Sequence, residues 1–423
     1  MTRGGALAVG IVIVCAAGVV AALALAWHPK IDKVTPPAPG SFDRYLVAEG
    51  EDLAKLGNCA GCHTNDPASP LAGGRALDTP FGKVFATNIT PHEDGIGTWS
   101  PEAFERAMRR GIARDGTQLY PAFPYDHFTH AADHQIEALY AWLMTRRPIA
   151  GRAPETRLAG LYGFRPVVAA WNALYLNEGP LPTDATKPSQ WNRGRMLVEG
   201  LGHCAGCHTP RDHFGAEDVA HAYDGAWSEG WYAPPLNARS PAVRTWTPDE
   251  LFAYLRTGLA PHHAAAAGPM AGVTRALAQA PDEDVRAIAV YIASLMADAP
   301  ASKQDQPQPV DRLTVAQQQH PEAAALYAGA CATCHDPGAP MMQLGRPVLS
   351  WGTPLHEDNP HDTVRIILQG LTPPGGASGP TMPAYADMLS DQQVQELAAY
   401  LRTRFTNKPA WSDVPAAVAE ARK

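Results

Sequence analysis

Apolar residues at Ile136, Leu139, Tyr140 and Leu143 are spaced three and four apart, the signature of a helix with one buried face. The pattern predicts a helix from 133 to 143, and it returns from 282 to 292 and from 391 to 401. Trp142, Tyr291 and Tyr400 fall at one equivalent position in the three copies, where the expected role is core packing against the first helix of each unit. A shorter helical pattern stands upstream, opened by Thr98-Trp99-Ser100-Pro101-Glu102 and again by Thr245-Trp246-Thr247-Pro248-Asp249, with Ser or Thr placed as N-cap. These helices should stop at Arg110-Gly111, Thr257-Gly258 and Gln369-Gly370. The expectation is an all-α fold of three consecutive small domains, at 41–150, 188–298 and 312–406. A connecting segment at 151–187, a Pro- and Gln-rich linker at 299–311 and a short charged tail at 407–423 complete the chain.

The N-terminus reads differently. Residues 4–27 are uncharged and mostly Ala, Val, Leu and Ile, about 24 residues that as a helix would measure roughly 36 Å. We therefore expect a transmembrane anchor within residues 1–30, with Arg3 on the cytoplasmic side and Trp27 at the far interface. A secretory signal cut near Ala24-Leu25-Ala26 is the alternative. Either one puts the remainder on the far side of the cytoplasmic membrane, behind the stiff spacer Pro36-Pro37-Ala38-Pro39-Gly40.

A length of 423 residues and 45% hydrophobic content allow about two to four domains with cores of their own. The net charge of -8 argues against a nucleic-acid partner, which calls for a basic face. Seven cysteines matter more. One, Cys15, lies in the apolar run, and the other six occur in one string used three times: Cys59-Ala60-Gly61-Cys62-His63, Cys204-Ala205-Gly206-Cys207-His208 and Cys331-Ala332-Thr333-Cys334-His335. Cys-x-x-Cys-His attaches a c-type haem, because two thiols on one turn can add to the two vinyl groups while the adjoining His meets the iron. A single copy is also compatible with a zinc knuckle, a redox dithiol or chance. Zinc, however, wants a second pair roughly 12 to 20 residues away, and these pairs lie far apart. Three covalent haems are expected, with His63, His208 and His335 as proximal ligands.

Each iron needs a second axial ligand. Met382, in a loop before the third closing helix, and Met270, in Gly268-Pro269-Met270, hold matching positions. Met388 is expected to be core, and His262 and His263 to be exposed in an Ala-rich loop. The first domain has the same loop frame, Tyr120-Pro121-Ala122-Phe123-Pro124-Tyr125, but Phe123 stands where a sulfur is wanted. By alignment of the repeats Met108 belongs to the core, Met144 to an exposed face and His134 to a solvated first turn. His127 is favoured, with His130 or an open position as alternatives. No phosphate loop, Ser-His-Asp arrangement or H-E-x-x-H stands out, and no catalytic residue is assigned.

The motif spacing, Thr79-Pro80-Phe81-Gly82, Ala86-Thr87-Asn88-Ile89-Thr90-Pro91, Gly95-Ile96-Gly97-Thr98-Trp99, the Trp191-Asn192-Arg193-Gly194 lead and residues 379–385 together resemble the membrane-anchored, three-haem cytochrome c subunits of periplasmic alcohol, aldehyde and gluconate dehydrogenases. Asp126-His127-Phe128 is similar to the branch paired with molybdenum hydroxylases such as nicotinate dehydrogenase. The resemblance implies class I cytochrome c-like domains and an electron-transfer role. Electrons would come from a catalytic dehydrogenase subunit of flavin, quinone or molybdenum type and leave to ubiquinone or a terminal oxidase, with no turnover by the chain alone. A haem enzyme in its own right, peroxidase-like or thiosulfate-oxidising, is the alternative and would need an open site on the first haem.

Overall fold

The computed structural model describes residues 26–297, 310–344, 347–373 and 381–423. The described chain falls into two compact units, one running to Asp184 and including Glu199–His203, the other made of Ala185–Val198 and Cys204–Lys423.

In the first unit, α1 (Arg44–Leu56) is capped by Asp43, leads into the motif turn α2 (Cys59–His63), and is followed by a hairpin of β1 (Ala76–Thr79) and β2 (Gly82–Phe85). Then come α3 (Pro101–Arg110), the short α4 (Tyr125–Phe128) and the closing helix α5 (Asp133–Met144). Ser100 caps α3 by accepting from the Ala103 N–H, and Gly111 ends it at φ 63, a left-handed value that disfavours side chains. Ala103, Phe104, Ala107 and Met108 form its buried stripe. Helices α1 and α5 cross where Gly50 meets Ala138 and Trp142: a Cβ at Gly50 would stand 2.0 Å from the Ala138 carbonyl oxygen. The absence of a side chain there is what lets the two backbones touch. Residues after 150 belong to this unit: β3 (Arg157–Leu158) extends the hairpin through the Gly82 and Leu158 pairing, and α6 (Pro166–Tyr175) supplies Asn172, which accepts from the Tyr125 hydroxyl at 2.6 Å.

The second unit repeats the plan. Helix α7 (Ser189–Met196) runs into a π turn at Leu197–Leu201 before the motif turn α8 (Ala205–His208), and a hairpin of β4 (Ala226–Ser228) and β5 (Trp231–Ala233) follows. Next come α9 (Pro248–Thr257), the small ladder of β6 (Leu259–Ala260) and β7 (Ala264–Ala265), α10 (Gly268–Leu277) and α11 (Asp282–Met296). Gly194 serves as Gly50 does, 2.0 Å from the Ala287 carbonyl oxygen by the same construction. The same unit holds the third repeat: α12 (Leu313–Gln319), α13 (Pro321–Ala330), α14 (Ala332–His335), α15 (Thr353–His356), α16 (His361–Gln369), α17 (Asp391–Phe405) and α18 (Val414–Ala421). Its core joins Tyr327, Val364, Ile367, Leu368, Val394, Leu397 and Tyr400. Within the unit the third repeat grips the second, as the Asp362 carboxylate accepts from the Tyr232 N–H at 2.9 Å and the Thr353 N–H donates to the His263 carbonyl at 3.0 Å. Trp142, Tyr291 and Tyr400 are all buried, as their shared position in the pattern predicts.

The all-α expectation is corrected. Among the described residues, three small antiparallel sheets stand beside the helices. Their strands of two to four residues are too short for an alternating pattern to register, and the flanking Pro and Gly read as loop. The transmembrane element of that fold class is not supported either: the apolar N-terminal run lies outside the described residues save its end, and among the described residues no helix is long and apolar enough to cross a membrane. The C-terminal tail differs as well. Val414, Ala417 and Val418 fall on one helical face and bury themselves in the third core, while Arg422 donates to Asp391 and to the Leu389 carbonyl.

Candidate functional site

Each Cys-x-x-Cys-His string forms one tight helical turn, which sets its two thiols and its imidazole on a common side. In the first two copies a left-handed residue precedes the turn, Asn58 at φ 48 and His203 at φ 38, and breaks the direction of the preceding helix. The histidines are then oriented by main chain. His63 Nδ1 lies 2.6 Å from the Thr87 carbonyl oxygen, and His208 Nδ1 lies 2.6 Å from the Pro234 carbonyl oxygen. A carbonyl only accepts, so each Nδ1 carries the proton and each Nε2 carries the lone pair a metal would take. Burial pushes both imidazoles below their usual range and keeps them neutral, although the carbonyl bonds oppose that shift.

The post for His63 is itself built in. Asn88 donates to the Ile149 and Gly151 carbonyls at 2.8 and 2.9 Å and accepts from the Thr90 N–H and hydroxyl, which locks the segment after β2 that carries Thr87. Pro234 directly follows β5. In the third copy, Arg404 holds Asp336, next to His335, at 2.9 Å, and the Tyr385 hydroxyl donates to the Ala330 carbonyl at 3.1 Å.

The thiol chemistry separates the readings. Burial, with the neighbouring cysteine adding to it, pushes Cys59 and Cys204 up to about 12 and Cys331 up to about 11. A redox dithiol requires the opposite shift, toward a thiolate at neutral pH. Zinc requires a cluster, and among the described residues no group of three or more His, Cys, Asp or Glu could hold a metal. Two thiols and one imidazole on a single turn fit a haem: they would supply two thioether links and one axial nitrogen.

The other predicted residues lie as follows. Met270 sits in the first turn of α10, not in a loop, and is half-buried; Met382 pairs with Leu371 in an isolated bridge and is also half-buried. His127 is buried on α4, its Nδ1 2.8 Å from the Glu199 carbonyl oxygen, and His130 Nδ1 lies 2.7 Å from the Gly179 carbonyl oxygen. Phe123 packs edge-on against Phe128. Met108 is core as expected, whereas Met144, expected on an exposed face, is 1% exposed because α5 is enclosed on nearly every side. Met388, expected in the core, is exposed. His263, expected at the surface, is fully buried and stacks on Trp246 at 3.7 Å, while His262 is exposed. Sequence reasoning did not find Thr87, Pro234 or Glu199, which act through main-chain oxygen that any residue supplies.

Comparison with known proteins agrees with the turn chemistry. Residues 47–147 match the family described as cytochrome c, and residues 189–292 and 318–401 match that of subunit III of the cbb3-type cytochrome c oxidase. The chain is 43% identical over 405 residues to one of the subunits of nicotinate dehydrogenase from Pseudomonas putida, which covers 95% of this chain and 34% of that protein; it thus spans about a third of that relative's length. It is 35% identical over 412 residues to the fructose dehydrogenase cytochrome subunit of Gluconobacter japonicus, covering 89% of this chain and 82% of that one. To the gluconate 2-dehydrogenase cytochrome c subunit of Pantoea cypripedii it is 34% identical over 379 residues, 86% of either chain. The chain therefore belongs to the cytochrome c subunits of dehydrogenases, the electron-transfer components of those complexes.

Proposed function

We propose that the chain carries three covalent haems c, one on each Cys-x-x-Cys-His turn, and relays electrons from a catalytic dehydrogenase subunit to ubiquinone or a terminal oxidase. The orientation of His63 and His208 by main-chain carbonyls carries this reading, because it presents a neutral Nε2 to a metal beside two thiols. His335 completes the proximal set. Met270 and Met382 are assigned as second axial ligands of the second and third haems. His127 is assigned to the first: its Nδ1 meets a carbonyl just as those of His63 and His208 do, which leaves the lone pair on Nε2. Two nitrogen ligands set a lower potential than nitrogen plus thioether, so the first haem is the low-potential station. A bound haem supplies a one-electron couple; the chain's own residues orient the ligands, bury them and keep them neutral. The three repeats are read as haem-bearing domains at 41–150, 188–298 and 312–406, with 157–175 packed on the first and 414–421 on the third. The uncharged apolar run behind Arg3 supports export, with the haem-bearing part in the periplasm.

Pigment that stays with the chain after denaturation and acid acetone extraction, at three haems per polypeptide, is the expected result. Pigment that washes out, or a lower count, refutes the three-haem assignment. His127→Ala should convert one low-spin centre to a high-spin one; an unchanged spectrum overturns His127. Carbon monoxide binding by the resting protein would favour a haem enzyme instead.

A further inference from the structure

Two arginines from unrelated stretches converge on one atom of the repeated motif. Arg75, at the start of the first hairpin, donates to the carbonyl of Gly61, the residue between the cysteines. Arg211, which lies only three residues beyond the motif's histidine, donates from Nη2 to the carbonyl of Gly206 at 2.8 Å, the same motif position. The two guanidiniums reach it by different routes. The main chain of Arg75 is fixed because its carbonyl accepts from the Ala86 N–H at 2.9 Å, whereas Arg211 sits on a tight turn that bridges to Glu217. In both places the helix is one turn long, so the glycine carbonyl has no later N–H of the helix to receive.

An orphan carbonyl is satisfied by any donor, for instance water or a neutral amide. Here both repeats place a guanidinium on it, that of Arg211 shared with the Glu217 carboxylate 3.7 Å away, beside the turn that bears the thioether links and the proximal histidine. Reduction adds one negative charge to the iron and its macrocycle, and a fixed cation next to them favours the reduced form.

We infer that Arg75 and Arg211 are positioning residues that hold the attachment turn by its glycine carbonyl and, through their charge, raise the reduction potentials of the first and second haems respectively. The inference rests on haem attachment at these two motifs. It adds a tuning device that the ligand assignment does not contain.

The test uses the full-length holoprotein with Arg75→Gln, Arg75→Lys, Arg211→Gln and Arg211→Lys. Gln keeps a donor and loses the charge, whereas Lys keeps the charge and loses the planar fork. Covalent haem per chain is counted first, so a failure of attachment appears as missing pigment before any potential is measured. Redox titration should then show one component of the wild-type curve displaced to lower potential in Arg75→Gln and a different component displaced in Arg211→Gln. The Lys variants should stay near wild type. If neither Gln variant moves a component, if both move the same one, or if Lys shifts it as far as Gln does, the inference is wrong.

Discussion

Replacing Gly50 by Ala should destabilise the first unit, against the intrinsic preference of a helix for Ala. The substitution gains about 1 kcal/mol of helix propensity. The new methyl, however, would stand 2.0 Å from the Ala138 carbonyl oxygen and 2.7 Å from Trp142 Cβ. Both belong to the main chain of α5 or its first side-chain atom, so no rotamer change relieves the clash. The two helices must part by on the order of 1 Å, and such a gap already forfeits a quarter to a half of each contact's dispersion well. Overpacking of this kind costs typically 1–3 kcal/mol, and the loosened α1 and α5 interface, with Leu53 and Leu139 in it, adds to that. A net loss of about 2 kcal/mol is expected, roughly a thirtyfold rise in the exchange of amides in 133–144 that open with the unit. Gly329→Ala is the control, because its Cβ meets nothing within 4 Å on α13; there the propensity gain should stand alone and stabilise by about 0.5–1 kcal/mol. Unchanged exchange in Gly50→Ala, or equal effects at both sites, would refute the close-crossing argument.

Burial raises the Asp362 carboxyl to about 6, against the bond from the Tyr232 N–H and the charge of Arg365, which pull it down. The native state therefore holds a proton that the unfolded chain has released, and the second unit should lose stability as pH rises from about 4 to 6, by roughly 3 kcal/mol. Asp362→Asn, which can still accept from Tyr232, should remove that part of the slope in urea melts; a slope unchanged in the variant would sink it. Arg404 is buried, grips Asp311 with two bonds of 2.9 and 3.0 Å and covers the Tyr327 ring. Arg404→Ala should cost the third repeat about 3 kcal/mol, at the low end for a buried pair because Asp311 is a third exposed; calorimetry that shows less than about 1 kcal/mol would contradict it. Ser100→Ala should cost about 1 kcal/mol and raise exchange confined to the first turn of α3, while Ser100→Asp should restore protection.

The helices were legible because their signals are local. Ser100 and Gly111 bracket α3, Thr247 and Gly258 bracket α9, and the apolar spacing of the closing helices survives in all three copies. What escaped depends on partners remote in sequence. His263 sits in an Ala-rich loop that reads as surface, yet Trp246 stacks on it and Thr353 donates to its carbonyl, and neither contact leaves a mark near 263. Residues 414–421 are Ala and Val apart from Pro415 and Glu420, so no polar face marks which side docks; only the third core gives Ala417 and Val418 their place. The carbonyls that orient His63 and His208 have no sequence signal beyond Asn88, whose buried amide fixes the segment that presents one of them.

The three repeats also show which features the fold holds fixed. Cys59 lies nine positions after the crossing glycine Gly50, and Cys204 lies ten after Gly194. The extra residue cannot be absorbed at the crossing, where main chain touches main chain, nor in the motif, whose spacing is set by its chemistry. It is taken up between them by the π turn at Leu197–Leu201, with Gly200 at φ -103 and ψ -114, a bend no regular helix contains. Both copies then reach the motif through a left-handed residue, Asn58 or His203. The third repeat has Tyr327 facing Tyr400, their rings 5.3 Å apart, and needs neither device: Cys331 continues directly from α13 at φ -120. The stretch between crossing and motif therefore yields to insertion while its two ends do not. That is the behaviour expected if the ends are held by separate demands, helix packing at one and covalent attachment of a rigid cofactor at the other.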